Sequence, residues 1–251
     1  MPSFNITDFK VQNQQIQQKY KDVKGQYSNF SFSDLDIIFA IALGDKSLFP
    51  NINLSGSPNE KDYLSKWVKG YVDSQSTLPS SRNASPKGSC SDPAIRAIVQ
   101  ASKGLAEDVA ASGERFHNLF MSAENIQGNL LEEFIAIKIR PFGWVWCNGN
   151  VMRSVDFCST DGKKLLQIKN KSNTENSSSS AIRSGTSIEK WYRLGTRTQA
   201  GIKHPKYMWD ELNAIINSHK CINDKCHLNE NDYIEFLKSV THKNKYLITD
   251  K

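Results

Sequence analysis

Asp156, Gln167 and Lys169 place a carboxylate, an amide oxygen and an amine close together in the stretch from Val155 to Ser180. A hard divalent cation takes oxygen ligands, usually a carboxylate or two with water and phosphate oxygens. Such a cation polarises a phosphoryl group and lowers the pKa of a bound water. A neighbouring ammonium can orient that water or stabilise charge developing on the phosphate. The set therefore suits metal-assisted hydrolysis of a phosphodiester. Asp156 would be the main ligand, Gln167 a neutral ligand and Lys169 the electrostatic partner.

These groups can meet only if the chain folds back between them. Asp161-Gly162 is a strong two-residue turn signal, because a type I′ turn needs positive φ at both central positions. Before it Val155 and Phe157 alternate with Asp156 and Cys158; after it Leu166 and Ile168 alternate with Gln167 and Lys169. Alternation gives each strand one apolar and one chemical face. A turn made of Asp161 and Gly162 alone puts Asp156 directly opposite Gln167, their Cβ atoms roughly 5 Å apart. Lys169 then follows on the same face, and a longer turn would shift the pair. The bare triplet is common: Asp8-Phe9-Lys10, Gln17-Gln18-Lys19, Asp22-Val23-Lys24 and Asp161-Gly162-Lys163 share its pattern. None of those four lies in an apolar strand paired with an acid-bearing one. On spacing alone, a solvated polar sheet face remains the competing reading.

The order of Asp156, Gln167-Ile168-Lys169 and an upstream helical Glu resembles the PD-(D/E)xK nuclease superfamily. More narrowly, Lys169-Asn170-Lys171 running into 173–180, then Ile182-Arg183, Gly185-Thr186 and Lys190-Trp191-Tyr192-Arg193, is similar to the SinI group of type II restriction endonucleases. The similarity is specific over about residues 125–197. It implies an α/β restriction-endonuclease-like core, a mixed β-sheet flanked by helices, with a helical N-terminal region. It further implies Mg²⁺-dependent cleavage of double-stranded DNA at a short palindromic site, GGWCC (W is A or T) or GGNCC. A companion cytosine-5 DNA methyltransferase follows from the same resemblance, and the metal set it implies is Asp156, Gln167 and Ile168. A palindromic target favours a two-fold homodimer, each subunit cutting one strand. Two positions depart from the superfamily pattern. Gln167 stands where Asp or Glu is usual, which removes a negative charge, and Ser154-Val155 precede Asp156 where a Pro is common. The alternatives are another nuclease of this fold, a sequence-specific DNA-binding protein that has lost activity, and a basic globular protein without nucleic-acid function.

A further acid is available upstream. Leu130, Leu131, Phe134, Ile135 and Ile139 fall at helical spacing beside Glu132 and Glu133. In the superfamily a helical Glu before the hairpin often reaches the metal. Glu132 shares a side with Ile135 and Ile139 and is the favoured acid, with Glu133 as substitute; an amphipathic helix with two solvated acids is the ordinary alternative. For DNA contact, Arg183, Lys190, Arg193 and Arg197 are interleaved with Trp191 and Tyr192, and Arg is the usual reader of guanine. Asn173, Asn176, Ser177 and Ser178 offer hydroxyl, amide and backbone donors suited to phosphates.

The chain has 251 residues, enough for one domain with a full core. It reads as a helical and loop-rich region over 1–92, a catalytic core over 93–200 and a helical region over 201–251. Lys plus Arg is 32 against 26 Asp plus Glu, a net +6 that is compatible with phosphate contacts without selecting them. No basic segment followed by an apolar run opens the chain, and the longest apolar run, Ile37 to Leu43, is too short for a bilayer. A cytoplasmic protein with no membrane partner is expected. Five scattered cysteines argue against a disulfide scaffold. His219, Cys221, Cys226 and His227 are a weak zinc candidate, reduced loop thiols being the stronger reading. Helices are expected from Asp92-Pro93 onward toward Val109, near Tyr63 to Tyr71, near Tyr207 to Asn217 and over Asp232 to Val240. Strands are expected at Trp144 to Trp146 and from Asn150 onward.

Overall fold

Ile16, Tyr20 and Val23 recur at helical spacing and are buried on one side of α1 (Asn13–Lys24). The apolar run read in the sequence forms α2 (Ser33–Gly44), burying Leu35, Ile38, Phe39, Ala42 and Leu43. Asn59 caps α3 (Glu60–Ser76), its side chain accepting from the N–H groups of Lys61 and Asp62. Tyr63, Leu64, Trp67, Val68 and Tyr71 of α3 join the same core, where the Tyr20 and Phe39 rings stack at 3.9 Å. This computed structural model describes residues 1–85, 92–171, 188–219 and 224–249.

The three helices cover one face of a five-stranded sheet. Its strands are β3 (Trp144–Trp146), β4 (Phe157–Ser159), β5 (Leu165–Lys171), β6 (Ile188–Gln199) and β7 (Ile202–Tyr207), adjacent in that order. All neighbours are antiparallel except β5 and β6, which are parallel. A short pair, β1 (Ser3–Phe4) with β2 (Ile52–Asn53), lies apart from it. Val145, Cys158 and Leu165 join the core built by α1 to α3. Trp144 belongs to the opposite face: its indole donates to the Ile216 carbonyl of α6 (Trp209–Asn217), and Trp191 of β6 meets Trp209 with centroids 5.1 Å apart. A mixed sheet between helical layers is the α/β architecture expected.

The chain divides into two compact units, 1–77 with 135–229 and 78–134 with 230–251. The second contains α4 (Pro93–Lys103), most of α5 (Glu107–Ile139) and α7 (Glu230–Lys243). Ile126 and Leu130 of α5 pack there with Val240 and Leu247.

Three expectations need correction. The helix from Asp92-Pro93 stops at Lys103, because Gly104 takes the left-handed conformation (φ 64) that ends a helix. No strand starts at Asn150: residues 148–154 form turns, with Asn150 at φ 55 and Ser154 at φ 64, and β4 begins only at Phe157. Finally, β6 and β7 were unforeseen, since the sequence after Ser180 showed only alternating basic and aromatic residues.

Candidate active site

The β4–β5 hairpin forms, but not with the turn expected. Asp161 is not among the positive-φ residues, whereas Gly162 is, at φ 72. The Gly162 N–H donates to the Ser159 carbonyl, and the Ser159 N–H donates to the Lys164 carbonyl. The loop is thus longer by one residue on each side. Being symmetric, it leaves the register unshifted: Phe157 faces Leu166 and Cys158 faces Leu165. The Asp161 carboxylate accepts from the Ser159 hydroxyl and from the Lys163 N–H, which holds its pKa below the usual range. An added Cβ at Gly162 would lie 3.0 Å from Ile41 of α2, so the loop sits tightly on that helix.

Asp156 is fixed from three sides. Its carbonyl accepts from Cys147 beyond the end of β3 at 2.9 Å, and its N–H donates to Leu166 of β5 at 2.9 Å. Leu166 is already the partner of Phe157, so two residues of this strand address one of β5, the arrangement of a bulge. Asp156 therefore does not stand in simple register opposite Gln167, as the alternation suggested. Its carboxylate turns onto the β5 backbone instead, where Oδ2 accepts from the Ile168 N–H at 2.7 Å. That places the carboxylate at the Gln167–Ile168 peptide, and the side chains of Gln167 and Lys169 share one face of β5.

Gln167 is 4% exposed, and its Oε1 has no hydrogen-bond partner among the described residues. A buried acceptor without a partner costs about 1–3 kcal/mol, so such an atom in a folded protein calls for a reason. An amide oxygen and a carboxylate are both donors of the kind a hard cation takes. Among the described residues no three His, Cys, Asp or Glu side chains converge, here or elsewhere. Lys169 is half-buried, and β6 brings Lys190 alongside Gln167 and Tyr192 alongside Lys169. Lys190 Nζ lies 6.0 Å from the centre of the Tyr192 ring.

The remaining candidates fall in different settings. Glu132 and Glu133 both belong to the second unit. The more deeply buried is Glu133, 3% exposed, while Glu132 is half-buried. Position 133 lies one heptad after Ile126, on the buried stripe. Both Glu133 oxygens are engaged by Ser80, one by its N–H at 2.8 Å and one by its hydroxyl at 2.6 Å. Arg193 is buried; its Nε donates to Asn170 at 2.9 Å and its guanidinium lies 5.7 Å from the Tyr207 ring. Arg197 is exposed on the β6–β7 ribbon opposite His204. Asn173, Asn176, Ser177, Ser178 and Arg183 lie outside the described residues, as does Cys221 of the zinc candidate. Cys226 is buried, and burial pushes its thiol up to about 11.

Sequence reasoning missed the ribbon. Ala200 (φ 50) and Gly201 (φ 77) form its two-residue turn, and all of β7 is exposed. Gln199 pairs with Ile202, Arg197 with His204 and Gly195 with Lys206, so one face carries Gln199, Arg197, His204 and Lys206. The available signal was weak: Thr196 and Thr198 alternate with basic and amide residues before Ala-Gly.

A family model described as SinI restriction endonuclease matches residues 62–242. The type II restriction enzyme Eco47I of Escherichia coli is 36% identical over 169 residues, covering 66% of this chain and 67% of its own. The type II restriction enzyme SinI of Salmonella infantis is 34% identical over 175 residues, covering 68% of this chain and 70% of its own.

Proposed function

Since the chain belongs to the SinI restriction endonuclease family and is a type II site-specific deoxyribonuclease, we propose that it cuts double-stranded DNA at a short palindromic site, GGWCC or GGNCC, in a Mg²⁺-dependent reaction at the β4–β5 hairpin. The observation that carries this placement is the buried Gln167 Oε1, without a hydrogen-bond partner among the described residues, on the strand bound by the Asp156 carboxylate. Asp156, Gln167 and Ile168 would hold the cation, which when bound polarises the scissile phosphate and acidifies a water.

The protein's own groups do the positioning. The bulge and three backbone hydrogen bonds fix Asp156 before any ligand arrives, so little reorganisation accompanies the reaction. Lys169 supplies positive charge to the phosphate, and Lys190 adds a second cation beside Gln167. Gln167 contributes no negative charge, so the set attracts a cation less strongly than one with a second carboxylate. Arg193 holds Asn170 next to Lys169 rather than reading a base, because its guanidinium is buried and occupied. Arg197, with its neighbours on the exposed ribbon, takes over DNA contact, since a two-stranded ribbon fits the major groove. Arg183, Asn173, Asn176, Ser177 and Ser178 remain proposed contacts from sequence. A homodimer and a companion cytosine-5 methyltransferase complete the proposal.

The test is incubation of purified protein with phage DNA and Mg²⁺. Discrete bands that disappear from DNA premethylated at GGWCC support the reading. A smear indicates a nuclease without a site, and intact but retarded DNA indicates a binder.

A further inference from the structure

We propose that Lys190 and Tyr192 form a second phosphate seat, which holds the DNA backbone phosphate next to the one being cut. The seat presupposes cleavage at the β4–β5 hairpin and extends that site across β6. In the parallel β5–β6 register Gln167 faces Lys190 and Lys169 faces Tyr192. Register partners stand on the same face of a sheet, so these four side chains make one patch. Lys169, Lys190 and Tyr192 are each half-buried. Among the described residues neither lysine pairs with a carboxylate, and the Tyr192 hydroxyl makes no hydrogen bond. Glu189, the neighbouring acid, is the partner of Leu166 on the opposite face and lies 3.7 Å from Lys164. Like charges side by side on neighbouring strands destabilise a sheet. Two ammonium groups and an unengaged phenol on one face therefore suit an anion.

Position decides which anion. The Asp156 carboxylate meets the Ile168 N–H on the β4 side of β5, whereas Lys190 and Tyr192 lie on its β6 side. Two strand spacings separate β4 from β6, roughly 10 Å. A phosphate on a cation at Asp156 is thus served by Lys169 of the middle strand. Lys190 is drawn along β6 instead: its Nζ lies 6.0 Å from the centre of the Tyr192 ring, and Gln167 Oε1 takes no hydrogen bond from it. Ammonium and phenol groups are ordinary donors to phosphate oxygens. Successive phosphates of one DNA strand rise only about 3.4 Å along the axis. A strand crossing from β5 to β6 therefore offers its next phosphate to the second seat.

The test is a gel-shift series, without Mg²⁺, on GGWCC duplexes in which one phosphate at a time is replaced in both strands by an uncharged methylphosphonate. At one position wild type is expected to lose affinity about tenfold. Lys190→Met and Tyr192→Phe should bind the natural duplex more weakly, yet lose less than about twofold further at that position. Lys169→Ala should stay sensitive there and become indifferent at the adjacent phosphate. A general weakening of the fold would not produce non-additivity confined to a single phosphate. Additive losses at every position overturn the seat, because β6 then touches no phosphate. Indifference of Lys169→Ala and Lys190→Met to the same phosphate also overturns it, because both lysines then hold one group. If wild type gives discrete fragments with Mg²⁺ while all losses add, only the second seat is wrong. Full-rate cutting by Asp156→Ala instead removes the hairpin reading itself.

Discussion

At the β4–β5 hairpin the polar backbone is committed, and one side-chain atom breaks the rule; along α4 and early α5 the apolar side chains break it instead. Asp156 is held through its carbonyl, its N–H and its carboxylate, while Gln167 Oε1 is buried without a partner among the described residues. In the helical region the hydrogen bonds are ordinary, and Ile98, Phe116 and Phe120 stand in solvent. Both departures cost free energy in the isolated chain, and the proposed cation would answer the first. Chemistry needs donors fixed in advance, whereas association needs apolar area left over. A local violation without compensation is where function is best sought.

The comparison can be broken most severely at the hairpin. Asp156→Ala or Lys169→Ala is expected to lower the cleavage rate at least about a hundredfold, while a gel-shift assay still shows duplex binding. Cutting at the wild-type rate by Asp156→Ala would remove the site assignment. Gly149→Ala should follow, with a loss of about 3 kcal/mol. Its φ is +85, and the new Cβ would lie 2.6 Å from the Gly70 carbonyl oxygen, backbone that has nowhere to go. Thermal unfolding reads that loss, and an unchanged midpoint would show that the 148–154 turns do not brace the strand bearing Asp156.

Gln167→Leu sharpens the contrast, because it should move stability and activity in opposite directions. Removing a buried acceptor that lacks a partner is expected to raise stability by about 1 kcal/mol, and cleavage should still be lost. Reduced stability together with retained cutting would mean that the amide is structural. The smallest effect is expected at the ribbon. Arg197→Ala should lower the slope of log affinity against log salt by about 1. An unchanged slope would place the ribbon away from the duplex.

How much of this was legible in the sequence differs by element. The hairpin register could be read because Val155, Phe157, Leu166 and Ile168 alternate with polar residues about Asp161-Gly162, and the longer loop stayed symmetric. Helix α4 was marked at its start by Asp92-Pro93, but its end depended on Gly104, which a pattern search passes over. The bulge at Asp156 was invisible, since it arises from hydrogen bonds to Leu166 and Ile168 of β5 and to Cys147 just past β3. Strands β6 and β7 were missed because the outer third of β6 and all of β7 face solvent and show no apolar alternation. Glu133 rather than Glu132 proved the deeply buried acid because burial on α5 follows Ile126 and Leu130 as well as Ile135 and Ile139. The candidate residues were recognisable by type; their arrangement came from partners distant in the chain.

Calorimetric titration of Ca²⁺, a cation that takes the same oxygen donors, into the complex with a GGWCC duplex tests the central assignment most directly. Wild type should bind the ion, and Asp156→Ala and Gln167→Leu should each weaken binding at least about tenfold. Equal affinity in all three proteins would contradict the account, since the cation would then be held somewhere other than the β4–β5 hairpin.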